Sequence, residues 1–268
     1  MTKTYSTLTE AYLNILKDVY ANPDYVHEDI TPKKMTDSDN KVVQNPKWYF
    51  NKTANQEKVN YSFVIKNPSD KEDIKTHSEK RNSTIYEYSD KETVLFDNGD
   101  RVNIKNLSKV WQIIANPDST INANYGYMVY HLKDAGNKDF DPDGFMSQWE
   151  WAKNRLLLLK KTNQAYLHFN RPKDQWNENI DQPCCLNIQF SIRDDRLHLY
   201  VNMRSNDLVF GVPYNMLYFV KLMHRMKNEL KEKYPDLDVG NYYYHTVSLH
   251  FYLKHKDKVE DMLGMKKE

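Results

Sequence analysis

Residues 197–215 read LHLYVNMRSNDLVFGVPYN, and the fold turns on this stretch. Leu197, Leu199, Val201 and Met203 alternate with polar or aromatic residues, the period of a half-buried strand. The alternation runs into Arg204-Ser205-Asn206-Asp207, and Pro213 then opens a helix. A guanidinium, a hydroxyl, an amide and a carboxylate collected at one strand end suit a polar anionic ligand. Strand, polar cluster and helix in that order predict an α/β (α+β) chain with its site at a strand terminus.

Outward from this stretch, residues 186–192 and 165–169 predict two more strands, and Arg193-Asp194-Asp195-Arg196 a hairpin connection. Downstream come a helix over 213–233, carrying Leu217, Val220, Lys221, Met223 and Met226, then a strand over 242–247 and a charged helical tail. Upstream, residues 7–20 predict a helix with Leu8, Ala11, Tyr12, Ile15, Leu16 and Val19 on one face, stopped by Pro23. Residues 23–59 are polar and read as a peripheral irregular arm, with Trp48, Tyr49 and Phe50 packed on the main body. A short strand over 62–65 ends at Asn67-Pro68. Helices are expected over 83–96 (closed by Asn98-Gly99), over 102–115 (ended by Asn116-Pro117) and over 145–161 (opened by Gly144). In the last of these, Trp149, Trp151 and Leu156 to Leu159 are expected in the core. No repeat or linker divides the chain, so residues 1–268 are read as a single domain.

The composition excludes several functions. Lys plus Arg is 38 and Asp plus Glu 37, a net charge of +1, which disfavours a protein that tracks nucleic acid. With 40% hydrophobic and 13% aromatic residues the chain is too apolar for disorder. No apolar run nears the about 18 residues of a membrane span, and the N-terminus lacks a signal core, so a cytoplasmic protein is expected. Glycines number 7 where average usage gives about 19, and neither phosphate-binding glycine motif, GxGxxG or GxxxxGK[ST], is present. The two cysteines, Cys184 and Cys185, are adjacent; they suit neither a mutual bridge nor a four-ligand zinc site, and no metal is expected. Cys184, directly after Pro183 at a strand entrance, reads either as a small core residue or as a reactive thiol.

Further motifs carry a resemblance. Pro183-Cys184 with Gln189-Phe190 is similar to the nucleophile strand of the thymidylate synthase family, and residues 199–215 resemble its phosphate- and base-binding segment. The Val-Asn-Met-Arg-Ser-Asn-Asp form is similar to the bacteriophage deoxycytidylate hydroxymethylase branch. His250-Phe251-Tyr252, Asn124-Tyr125-Gly126, and Glu92 with Gly99-Asp100 at the family's offset complete the match, in the family's order, over roughly residues 84–255. The resemblance implies a mixed β-sheet flanked by helices and a homodimer through back-to-back sheets. It also implies folate-dependent one-carbon transfer to C5 of a pyrimidine deoxynucleoside monophosphate, with 5,10-methylenetetrahydrofolate as donor.

The roles follow from the resemblance. Cys184 adds to C6 and makes C5 nucleophilic. Arg204 holds the 5′-phosphate and lowers the thiol pKa; Ser205 adds a phosphate contact. Glu92 manages protons at O4 and C5 through ordered water, and Asp207 contacts the folate or a catalytic water. His250 and Tyr252 reach the sugar, and Tyr125 contacts the substrate, although aromatic packing at a helix-to-loop join also accounts for that tyrosine. Asn215 can accept from N3–H and donate to O4, which describes uracil, whereas an Asp there suits cytosine. Asn163-Gln164 stands where the family has two arginines, for which Lys160, Lys161 or Arg171 could substitute, and Cys185 stands where the synthases have His. The short sequence after His255 leaves no counterpart of the segment that shields the intermediate from water, which favours hydroxymethylation over hydride transfer. The expected activity is therefore dUMP hydroxymethylation. Alternatives, in order, are thymidylate synthesis, dCMP hydroxymethylation, and a non-catalytic nucleotide- or RNA-binding family member.

Overall fold

The computed structural model describes residues 2–28, 54–135, 145–176 and 179–265. After strand β1 (Lys3–Tyr5), helix α1 (Leu8–Ala21) starts where the Thr7 hydroxyl accepts from the Glu10 amide. Its buried residues are Leu8, Ala11, Tyr12, Ile15, Leu16 and Val19, the face that the helical period predicts. Strands β2 (Tyr25–His27) and β3 (Asn55–Lys66) follow and pair antiparallel, with Tyr25 opposite Glu57. The ends of the expected irregular arm are therefore sheet. Their polar residues hid it, because strands near a sheet edge are held by backbone bonds and tolerate charged side chains. Trp48, Tyr49 and Phe50 lie outside the described residues, as does Gly144.

Helix α2 (Glu79–Asp97) begins at a Ser78 cap, one turn before the expected start. The single helix expected over 102–115 is instead a 3-10 turn (Asn103–Leu107) and a short helix α3 (Lys109–Ile114). Between them Ser108 is extended, and its hydroxyl accepts from Trp111 N; serine favours such caps over helix interiors. Helix α4 (Gln148–Leu158) starts at a Ser147–Glu150 capping box. Only part of its leucine run is core: Leu156 is buried, whereas Leu158 and Leu159 are 73% and 57% exposed, because four successive residues on a helix point all round it. Trp149 is buried, but Trp151 is half-buried against Tyr166.

The remaining elements are β4 (Tyr166–His168), β5 (Cys185–Arg193), β6 (Arg196–Asp207), α5 (Val212–Leu230), β7 (Asp238–Tyr252) and α6 (Lys256–Met262). Asp194 and Asp195 both have positive φ (50° and 56°), the twist that a two-residue hairpin between β5 and β6 needs. Among the described residues the strands form one seven-stranded sheet in the order β1-β3-β7-β6-β5-β4, with β2 also on β3. It is mixed: β6 pairs antiparallel with β5 and parallel with β7. The core lies between sheet and helices, with Phe63 stacked on Tyr244 and α5 buried almost all round except at residues such as Lys221, which bonds Asp90. Helix α2 packs on α5 through Tyr88–Tyr214 and Phe96–Tyr218. Among the described residues no helix is long and apolar enough to cross a membrane.

Gly126 ties the C-terminal end of α2 to the segment that follows α3. A Cβ on Gly126 falls 1.9 Å from the Phe96 carbonyl oxygen, a backbone atom that cannot move aside alone. Gly126→Ala is therefore expected to lower the unfolding free energy by about 3 kcal/mol or more, read from urea denaturation; a loss below about 1 kcal/mol contradicts this packing.

Candidate active site

Cys184 sits on a bend just before β5, and its carbonyl accepts from Arg204 N at 2.9 Å across the pair with β6. The Arg204 side chain folds back over the same loop. Nε donates to Pro183 O at 3.0 Å, Nη2 donates to Gln182 O at 2.8 Å, and Nη2 lies 3.9 Å from Cys184 Sγ. Burial nevertheless pushes the Cys184 thiol up; Arg204 pulls it down, while Asp181 and Asp207 push it up again. Arg204 thus acts on the thiol in the expected direction, while burial sets the net shift. One cation shared with two carbonyls does not offset desolvation and two carboxylates.

Strand register assembles the next groups. Asp207 lies beside His250 and Ser205 beside Ser248 across the β6–β7 pair. The Asp207 carboxylate accepts from Val209 N at 2.8 Å, and burial raises its pKa. His250 is held below the ordinary histidine range by burial, with Asp207 and Glu57 opposing. Its Nδ1 is 3.4 Å from Ser248 Oγ, and its ring meets Tyr252 edge-on at 5.1 Å. The charges of Cys184, Asp207 and Arg204 all reach the Tyr252 phenol, whose pKa is pushed up to about 12, chiefly by burial. Asn215, in the first turn of α5, donates from Nδ2 to Asn206 Oδ1 at 3.3 Å.

Glu92 comes from α2 and is 7% exposed. Burial pushes its carboxyl up to about 8, against a hydrogen bond from Tyr88. Tyr88 accepts from Trp111 Nε1 at 2.7 Å and stacks on Tyr214 at 4.3 Å. The charges of both Glu92 and Asp207 are felt at Tyr214, next to Asn215, and this links α2 to the strand-end cluster. Tyr125 is buried beneath the Cys184 segment. Its ring is enclosed by Phe96, Phe169 and Phe219, and its hydroxyl accepts from Cys185 N at 3.1 Å. It holds the residue after Cys184 through this bond.

Two members were not singled out from sequence. Tyr88 was legible as the residue one helical turn before Glu92. Asp181 had only its place three residues before Cys184; its Oδ2 accepts from Asn122 N and Ala123 N, Oδ1 is buried without a partner, and burial pushes its pKa up to about 6. At the expected arginine positions, Asn163 Oδ1 accepts from Arg193 and Gln164 Oε1 from Arg155. Of the cations that could substitute for those arginines, Lys160 pairs with Asp195 and Arg171 with Asp174. Among the described residues no cluster of His, Cys, Asp and Glu has the makings of a metal site.

The buried Glu92 carboxyl has a consequence for stability. Below about pH 4.5 it is protonated in both folded and unfolded chains; between there and about 8 only the unfolded chain ionises, so stability falls as pH rises. Relative to Glu92→Gln, the wild-type chain is expected to lose about 1.4 kcal/mol per pH unit across that window in denaturation experiments. A difference independent of pH contradicts the buried neutral carboxyl.

Comparison with known proteins agrees with this fold. The fold is similar to that of the thermostable thymidylate synthase A from Bacillus subtilis, with a TM-score of 0.64 at 19% identity, covering 97% of this chain and 84% of that one. In sequence, the chain is 26% identical over 153 residues to a deoxycytidylate 5-hydroxymethyltransferase of Enterobacteria phage T6, covering 55% of this chain and 58% of that protein. It is 27% identical over 173 residues to the thymidylate synthase of Bacillus mojavensis, covering 59% of each. The matches thus span under two thirds of these relatives' lengths. A family model described as Thymidylate synthase matches residues 72–268, a range that includes Glu92, Cys184, Arg204, Asn215 and His250: the chain belongs to the thymidylate synthase family.

Proposed function

We propose that the chain is a folate-dependent one-carbon transferase that hydroxymethylates C5 of dUMP. The observation that carries this reading is the Cys184 thiol held 3.9 Å from the Arg204 guanidinium at a strand end shared with Asp207, His250 and Tyr252. Arg204 and Ser205 take the 5′-phosphate, and His250 and Tyr252 the sugar hydroxyl. Asn215 reads the base edge. Cys184 adds to C6, and the electron density that moves to O4 is met by the proton that Glu92 keeps near neutral pH. Phosphate binding at Arg204 orders that side chain over Cys184 and aligns the thiol with C6.

The residues present fit a reduced folate. Asp207 and the unpartnered Asp181 Oδ1 are buried acceptors suited to a pterin's N–H edge, and half-buried Trp111 offers a flat apolar surface. When bound, this donor supplies a carbon at the oxidation level of formaldehyde. Hydroxymethylation is supported by the phage relatives and by the form of residues 201–207; the thymidylate synthases at similar identity support methyl transfer as the second reading. Half-exposed residues on the sheet, among them Asn187, Gln189, Tyr200, Asn202, Tyr243 and His245, suit a second copy of the chain packed back to back.

The test is incubation with methylenetetrahydrofolate and dUMP or dCMP, each tritiated at C5, with product mass determined. Tritium release from dUMP with a hydroxymethyl product is expected, and Cys184→Ser is expected to lower the rate by about three orders of magnitude or more. A methyl product replaces the reading with thymidylate synthesis. Release from dCMP alone overturns the base assignment, and no release from either overturns catalysis on monophosphates.

A further inference from the structure

Asp181 is 1% exposed, and its two carboxylate oxygens are placed differently. Oδ2 accepts from Asn122 N and from Ala123 N, the latter at 3.2 Å, while Oδ1 is buried and has no partner among the described residues. A buried acceptor left empty is costly, and a fold that keeps one calls for a reason. The same loop carries Cys184 three residues on, and it is pinned on more than one side. Arg204 holds the carbonyls of Gln182 and Pro183, and Tyr125 Oη accepts from Cys185 N at 3.1 Å. Residues 122–125 and 181–185 are thus stapled together at both ends.

Three residues of chain span at most about 11 Å, and the Asp181 charge reaches the Cys184 thiol, whose pKa it raises. Burial pushes the Asp181 carboxyl up to about 6; the Asn122 and Ala123 amides and Arg101 oppose this, and Asp174 adds to it. A carboxylate of that strength suits proton abstraction from water near neutral pH. Other groups of the site have their tasks. Glu92 keeps its proton near neutral pH, Asp207 accepts from Val209 N, and His250 and Tyr252 are assigned to the sugar. Hydroxymethylation needs one group more, to draw a proton from the water that becomes the new hydroxyl.

We infer that Asp181 is the general base that adds water to the one-carbon unit, its free Oδ1 set beside the C5 substituent by the loop that also carries Cys184. This rests on the hydroxymethylation proposed above. Once C5 bears an exocyclic methylene and C6 the Cys184 sulfur, the water oxygen bonds to the methylene carbon. One water proton passes to Asp181 Oδ1, and the methylene electron pair moves through C5 and C4 to O4. Its return forms the C5–C6 double bond and breaks the C6–S bond, releasing Cys184 as thiolate. The proton on Asp181 then restores the thiol, so one water is consumed and nothing is oxidised or reduced. The oxygen matched above to a pterin N–H meets water after that donor has left.

The test needs no folate. In water enriched in oxygen-18, 5-hydroxymethyl-dUMP undergoes the reverse of this step and then the step itself, so label enters the hydroxymethyl group and is read by mass. Exchange of C5 tritium from dUMP, also without folate, reports Cys184 addition without the water step. The wild type is expected to catalyse both. Asp181→Asn keeps an oxygen for the Asn122 and Ala123 amides, and its folding is checked by thermal melting. It is expected to lower oxygen exchange about a hundredfold more than tritium exchange. Equal losses in the two reactions make Asp181 a mere support of the loop and overturn the inference, as does oxygen exchange at the wild-type rate. If Asp181→Asn does not fold, the wild-type pH profiles decide. Oxygen exchange is expected to fall about tenfold per pH unit below about 6 relative to tritium exchange, and parallel profiles overturn the inference. If the wild type exchanges tritium but not oxygen, hydroxymethylation falls and the inference with it; if it exchanges neither, catalysis on monophosphates falls as well.

Discussion

Strand β6 is bonded on both sides at the end where the polar groups collect. On one side Arg204 N donates to the Cys184 carbonyl at 2.9 Å; on the other, Leu208 N donates to the His250 carbonyl at 2.7 Å. The Cys184 loop, the arginine, the aspartate and the histidine are thereby set by one sheet register, not by separate loops. A slip of one residue in either pair turns every side chain of the strand to the opposite face. The hydrophobic alternation of Leu197, Leu199, Val201 and Met203, all buried, is what makes such a slip costly. The apolar half of residues 197–215 thus holds the polar half in place, and helix α5 follows directly, so Asn215 is positioned by the same constraint.

Electrostatics complete the picture. Burial holds the Cys184 thiol and the Glu92 carboxyl towards their neutral forms, and His250 likewise. A site kept neutral at rest avoids the cost of burying unpaired charge. The exposed Arg204 remains as the cation of the site, and its contacts with the carbonyls of Gln182 and Pro183 tie it to the loop carrying the thiol.

Much of this was legible in the chain itself. The α1 face matched residue for residue, since a helical period over an apolar core is a strong local signal. The β5–β6 hairpin was legible from its flanking alternation and its two aspartates. Strands β2 and the start of β3 were not, because backbone pairing near a sheet edge leaves little mark on side-chain polarity. Nor was the break at Ser108, where a capping hydroxyl overrode a plausible helical pattern. In the site, Cys184, Arg204 and Asp207 stood out by residue type and His250 by the family resemblance, and the structure brings them together. Long-range partnerships stayed invisible: the Tyr125 hydroxyl meets Cys185 N across 60 residues, and Asn206 meets Tyr244 across 38. The direction of the Cys184 pKa shift also escaped the sequence, since it depends on burial that no motif encodes.

The central claim is that Cys184, and not its buried neighbour Cys185, is the attacking thiol of a pyrimidine site. A dUMP analogue with fluorine at C5 tests it most directly, because the thiol adduct cannot then release a C5 proton and persists. Incubation with the analogue and methylenetetrahydrofolate, followed by intact mass and peptide mapping, is expected to show one covalent adduct on the peptide bearing Cys184 that disappears in Cys184→Ser. Absence of an adduct, or one on Cys185, contradicts the account.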